Sequence, residues 1–168
     1  MKTADYWIQH LKLERHPEGG YFRETYRSTE LIRAAALPPR FGADRNFSTS
    51  IFFLLNAGER SLFHRIKSDE LWHFHYGGPL TIYVLDTAGV KTFKLGSSPD
   101  HDEHLQVTIP ANVWFGAVPT EENSYTLAGC TVSPGFDFLD FELGNRDHLI
   151  QEFPSHTDLI ERLTPGKN

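Results

Sequence analysis

Apolar and polar positions alternate along most of this chain. From Phe47 onward, short period-two runs are broken roughly every eight to twelve residues by Gly, Pro, Asn, Asp or Ser, the pattern of half-buried strands joined by tight turns. The runs predict strands over Ser48–Leu55, Ser61–Ile66, Glu70–Tyr76, Leu80–Leu85, Val90–Leu95, His104–Ile109, Val113–Val118, Ser124–Val132 and Leu139–Leu143. Tyr21–Arg27 adds an earlier one, with Tyr21, Arg23, Thr25 and Arg27 on one face. Longer helical spacing marks the two ends. Ala4, Trp7, Ile8 and Leu11 follow a capping Thr3, and Thr157–Leu163 follows Ser155, a second capping candidate. Leu31–Leu37 reads as one or two helical turns stopped by Pro38-Pro39, and 38–46 as an irregular loop. About ten strands without βαβ alternation predict an all-β, antiparallel jelly roll.

Composition supports this reading and narrows the partners. A chain of 168 residues is one domain of ordinary size, and no repeat, low-complexity tract or linker divides it. The domain runs over 1–168, with a core over about 20–143 and helical extensions at 3–13 and 155–163. The formal charge of -6 disfavours nucleic acid and anionic membrane surfaces. With Cys130 alone, no intramolecular disulfide and no Cys-rich zinc site can form. Met1-Lys2-Thr3 leads directly into an amphipathic segment, and no apolar run reaches membrane length, so a soluble cytoplasmic protein is expected.

Candidate chemistry concentrates between Gly58 and Gly78. Within Glu70–Tyr76, strand alternation puts Glu70, Trp72, Phe74 and Tyr76 on one face and Leu71, His73 and His75 on the other. A glutamate in phase with aromatic residues is expected in an apolar pocket, where desolvation raises its pKa. His64 lies in phase with Leu62 and Ile66. An apolar-flanked imidazole can act as general base if a carboxylate orients it, and Glu70, Asp140 or Glu142 are the candidates. Phe52, Trp72, Phe74, Trp114 and Phe115 are candidates for an aromatic wall around a small organic ligand. Arg23, Arg27 and Arg65 have the fork geometry to recognise a carboxylate or phosphate. Asp140 and Glu142 share one face of the last run, and alternation alone does not decide which face lines a pocket.

The spacing Gly58, His64, Ile66, Glu70, Gly77 resembles the first cupin motif, in which a glycine is followed by His-x-His, a glutamate and a second glycine. Ile66 stands where the second histidine would be. Pro110-Ala111-Asn112-Val113-Trp114-Phe115 resembles the second motif, with Asn112 for its glycine and Phe115 for its histidine. His16-Pro17-Glu18-Gly19-Gly20-Tyr21-Phe22, Ser68–His73 and Gly129–Phe136 are similar to one cupin family known mainly as a domain of unknown function. The resemblance implies a double-stranded β-helix (the cupin jelly-roll barrel) and a homodimer. A small-molecule ligand is expected from the aromatic candidates and their few polar neighbours.

Three activities follow as expectations. The foremost is a metal-independent isomerase or epimerase of a carbohydrate-like metabolite, similar to the non-metal cupins that epimerise nucleotide-linked keto-sugars, with His64 as base, Glu70 as its partner and no cofactor. Another is a metabolite-binding or regulatory module without turnover. The last is a metal-dependent oxygenase or isomerase, whose divalent ion would rest on His64 and Glu70 alone. His73 and His75 are out of phase with Glu70, so they are expected outside the pocket.

Overall fold

In a computed structural model describing residues 2–166, the alternating runs form two six-stranded sheets. After the helix α1 (Ala4–His10) the strands are β1 (Glu14–Arg15), β2 (Tyr21–Arg27), β3 (Leu31–Ile32), β4 (Arg45–Asn46), β5 (Thr49–Leu55), β6 (Ser61–Arg65) and β7 (Asp69–Gly77). Then come β8 (Leu80–Asp86), β9 (Gly89–Leu95), β10 (Glu103–His104), β11 (Gln106–Ile109), β12 (Trp114–Pro119), β13 (Thr126–Ser133) and β14 (Glu142–Leu143). Two helices, α2 (Arg146–Glu152) and α3 (Thr157–Arg162), follow. One sheet has the order β1-β2-β5-β13-β7-β11 and the other β10-β9-β8-β12-β6-β14. Among the described residues every pairing is antiparallel except β9 with β10. This is the expected all-β cupin jelly roll with short terminal helices.

Between the sheets lies a core that includes Phe53, Leu55, Trp72, Ile82, Phe115 and Cys130. On the outer side of the second sheet, α2 and α3 bury Leu149, Ile160 and Leu163 against Phe63, Leu85 and Trp114. Trp114 therefore belongs to the helix-packing layer, not to a ligand wall. At the other end, α1 lays Trp7, Ile8 and Leu11 over Leu54 and Leu127. Thr3 caps α1 as expected, its hydroxyl accepting from the Tyr6 N–H at 3.2 Å.

Several local expectations are corrected. Leu31–Leu37 is a two-residue strand and a 3-10 turn (Ala34–Ala36), and 38–46 contains another 3-10 turn and β4. His104–Ile109 divides at Leu105, β10 joining one sheet and β11 the other. The last run is a 3-10 turn over Phe138–Asp140 before the short β14. Helix α2 was not anticipated from the pattern. Its start is capped by Asn145, whose Oδ1 accepts from the His148 N–H at 3.1 Å. The cap of α3 is His156 rather than Ser155, with no side-chain hydrogen bond.

Candidate active site

Three β-bulges set which side chains face the barrel interior. In β2, Glu24 pairs with Ile51 but Tyr26 with Ser50, so the extra residue brings Arg27 to the same side as Phe22 and Glu24. Arg23 and Tyr21 stay outside, which breaks the shared face expected for Tyr21, Arg23, Thr25 and Arg27. In β7, Phe74 pairs with Ala128 and Tyr76 with Leu127, and the additional His75 turns Tyr76 away from the Trp72 face onto Trp7. In β6, the four residues from Ser61 to His64 oppose three from Phe115 to Ala117, so Ser61 and His64 can reach one partner.

That partner is Glu18. The Gly19-Gly20 pair that follows it adopts positive φ of 111° and 73°, and a Cβ on Gly19 would collide with the Arg60 carbonyl. The Glu18 carbonyl accepts from the Leu62 N–H at 2.8 Å, fixing the turn to β6. The carboxyl is thereby delivered into the barrel, where Glu18, His64 and Glu70 are all more than nine-tenths buried. The Ser61 hydroxyl donates to Glu18 Oε1 at 2.7 Å, and Glu18 Oε2 lies 3.0 Å from His64 Nε2. His64 Nδ1–H donates to the Leu62 carbonyl at 2.7 Å, leaving Nε2 as an acceptor in the neutral ring.

Burial and the neighbouring Glu70 hold the Glu18 carboxyl well above its usual range, countered by the Ser61 hydrogen bond. Burial pushes His64 down to about 3. The proton therefore sits on Glu18, which donates to His64 Nε2, and the pair is neutral. Both nitrogens of His64 are occupied. The expectation of His64 as a base partnered by Glu70 is corrected: its carboxyl partner is Glu18, and the ring is packed by Phe115 and Phe141 with centroids at 4.1 and 5.4 Å.

Glu70 stands apart from that network, on β7, and has no ion-pair partner among the described residues. Burial raises it to about 7, opposed by the Cys130 thiol and the Trp72 indole. The Trp72 N–H nevertheless closes no hydrogen bond of normal geometry. Cys130 is held far above its usual pKa by burial and by the two carboxyls, so it is an inert thiol. His16 completes the constellation. Its Nδ1 accepts from the Glu18 N–H at 3.3 Å, which puts the proton on Nε2. Burial lowers His16 to about 4, so this donor is a neutral imidazole.

These groups border a cavity of about 270 Å³, walled by Phe22, Ile51, Phe53, Trp72, Phe136 and Phe141, with His16, His64 and Glu70 exposed to it. Of the sequence-derived wall only Trp72 lines it. Phe115 supports it from behind through His64. Phe52 points to the outer face, where its ring meets His75 at 5.7 Å, and its neighbour Phe53 occupies the inner position. Phe74 packs against the core outside this cavity. Arg23 donates to the Leu11 carbonyl at 3.0 Å, and Arg65 pairs with Glu142 at 2.7 Å while stacking on Trp114. Asp140 is buried in a bidentate pair with Arg45, both contacts at 2.6 Å, and Lys67 lies 3.3 Å away. Asp137, not Asp140, reaches the cavity rim. His73 and His75 lie outside the cavity, as their phase predicts.

A cupin barrel raises the question of a metal. Among the described residues no three His, Cys, Asp or Glu side chains converge as a metal-binding group. The donor chemistry agrees: Ile66 and Phe115 stand at motif positions that elsewhere carry histidines, and His64 Nε2 is engaged by Glu18. The residues present do not fit a divalent ion.

Sequence reasoning missed Glu18 and His16. The segment His16–Gly20 resembles a family signature, and its two ionisable residues flanking a proline were the available signal.

Comparison with known proteins agrees with the fold. Residues 5–144 match the family model described as cupin superfamily (DUF985). An uncharacterised Saccharomyces cerevisiae protein, YML079W, is 31% identical over 144 residues, covering 79% of this chain and 71% of the yeast protein. The structure of protein SO0799 from Shewanella oneidensis superposes with a TM-score of 0.89 at 38% identity, covering 99% of this chain and 100% of the other. A hypothetical protein from Leishmania major gives 0.87 at 32%, covering 98% and 100%. Bacillus subtilis oxalate decarboxylase shares the fold alone, at a TM-score of 0.55 and 20% identity over 92% of this chain and 37% of that longer one.

Proposed function

The chain belongs to the DUF985 family of the cupin superfamily, and from that premise we propose that it is a metal-independent isomerase or epimerase acting on a small carbohydrate-like carbonyl compound. The step in view is enolisation. Glu70, ionised in part near neutrality, takes the proton from the carbon beside the carbonyl. The electron pair moves onto the carbonyl oxygen, and the neutral His16 Nε2–H stabilises the charge that develops there. Return of the proton from Glu70 to the same carbon on its opposite face, after the enolate has turned, regenerates the carbonyl with that centre inverted. Isomerisation in addition passes the proton of the adjacent hydroxyl to the former carbonyl oxygen, while Glu70 returns its proton to the neighbouring carbon. Ser61, Glu18 and His64 are positioning residues, because the Glu18 N–H fixes the His16 tautomer and the buried relay keeps that segment in place.

The observation that carries this reading is Glu70, a carboxyl without ion-pair partner among the described residues, held near pKa 7 in a cavity that the neutral His16 imidazole also lines. The test is solvent deuterium uptake by a panel of ketoses and small cyclic ketones, followed by proton NMR. Exchange into at least one compound is expected, reduced roughly 10²–10⁴-fold in Glu70→Gln and His16→Phe. Exchange no faster than in Glu70→Gln across the whole panel rules the reading out.

The closed Ser61–Glu18–His64 network favours a second reading, a metabolite-binding module without turnover, since none of its protons faces a ligand. Saturable binding with no deuterium uptake would select it.

A further inference from the structure

The charges around the cavity are unbalanced. Glu70 and the protonated, neutral Glu18 lie inside it, and Glu24 and Asp137 stand at its rim. Arg27 is the one Lys or Arg side chain lining it among the described residues. Four of its five N–H groups are already engaged: Nε and Nη2 donate to the two Glu24 oxygens at 2.9 and 2.7 Å, and Nη1 donates to Asn46 Oδ1 at 2.8 Å and to the Phe136 carbonyl at 3.1 Å. Arg45 and Lys67 are spent on Asp140, outside the cavity. His16 and His64 are neutral rings near pH 7. An anionic group entering here would lose its water and meet no free cation, with the unpaired Glu70 carboxyl facing it.

We propose that the cavity is an anion-excluding filter, which admits the reacting part of its substrate as an uncharged carbonyl compound and turns away carboxylates and phosphates. This rests on the enolisation reading for the word carbonyl, whereas the exclusion itself follows from the charges and is read by binding alone. Glu24 is the specificity determinant at the rim, because it occupies the one guanidinium fork that could otherwise receive an anion. The arrangement also explains why the arginines on β2 are poor anion receptors despite their number. Arg23 turns outward to the Leu11 carbonyl, and Arg27 arrives inside already paired.

The test uses cyclohexanone and cyclohexanecarboxylate as size-matched probes of the intact protein, by titration calorimetry and saturation-transfer NMR at about pH 7.5. Cyclohexanone should bind at least roughly tenfold more tightly than the carboxylate. The carboxylate should gain affinity towards the carboxyl titration range, where both it and Glu70 become neutral. Two variants sharpen the reading. Glu24→Ala, a half-exposed position, should raise carboxylate affinity by freeing Arg27, and Glu70→Gln should raise it while abolishing deuterium uptake. Equal or tighter binding of the carboxylate by the unaltered protein overturns the proposal, as does failure of cyclohexanone to bind. Charge discrimination without deuterium uptake in any ketone would instead sink the enolisation reading and leave the filter standing.

Discussion

Replacing Glu70 by Gln should make the protein more stable, and only above the ordinary carboxyl range. Gln has the shape of the protonated acid but cannot ionise, so the variant separates the charge of Glu70 from its packing. Burial raises the folded-state pKa from 4.5 to about 7. The folded state therefore holds a proton that the unfolded chain releases between those values, and stability falls as pH rises through that window. At 1.36 kcal/mol per unit, the native protein carries a penalty that grows from near zero at about pH 4.5 to about 3 kcal/mol above pH 7. Urea unfolding of both proteins at about pH 5, 6, 7 and 8, with linear extrapolation, measures it. His16 and His64 act in the opposite sense, with folded pKa values lowered to about 4 and about 3, so their contribution is present above pH 6.5 and lost as pH falls. They are common to both proteins and cancel in the difference. The expected result is near equality at about pH 5 and a Glu70→Gln advantage approaching about 3 kcal/mol at about pH 8. A difference that does not change with pH, or a variant less stable at about pH 8, would refute the assignment of Glu70 as a buried, unpaired carboxyl.

Other perturbations test the remaining parts of the site. Glu18→Gln keeps a donor for His64 Nε2 and an acceptor for Ser61, so it should cost no more than about 1 kcal/mol in urea unfolding, whereas Glu18→Ala should cost about 2–3 kcal/mol. If Glu18→Gln is as damaging as Glu18→Ala, the carboxyl is not the proton donor of the pair. Gly19→Ala should lose at least about 2 kcal/mol and shift the His64 ring resonances, since the left-handed turn that delivers Glu18 cannot hold a Cβ. Asp140→Ala strands the buried Arg45 guanidinium and should cost about 3–5 kcal/mol by thermal or urea unfolding, and a loss below about 1 kcal/mol would contradict its burial.

What the chain alone determined is local. Period-two alternation located the long strands β2, β5 to β9, β12 and β13 to within a residue or two, because a strand half-buried in a two-sheet barrel must alternate. The Gly58–Gly77 spacing and the flanking segments led to the family, and the phase of Glu70 with Trp72 correctly put a carboxyl among aromatic rings in the interior. The phase of His73 and His75 likewise kept them out.

Tertiary structure decided the rest, for two physical reasons. Bulges insert single residues that alternation cannot anticipate, so each one reverses the faces beyond it: Arg27 goes in, Tyr76 goes out, and Ser61 joins His64 on one partner. Phe52 and Phe53 show the same limit without a bulge, since an apolar run buried on both faces carries no phase of its own. The second reason is separation along the chain. The Glu18 turn is joined to β6 by Glu18 O to Leu62 N–H and by the Ser61 and His64 contacts, across more than forty residues. No spacing rule within the motif points to a carboxyl that arrives from outside it. The sequence thus held every group of the site, and only the folded barrel could say that His64 belongs to Glu18 and that Glu70 stands alone.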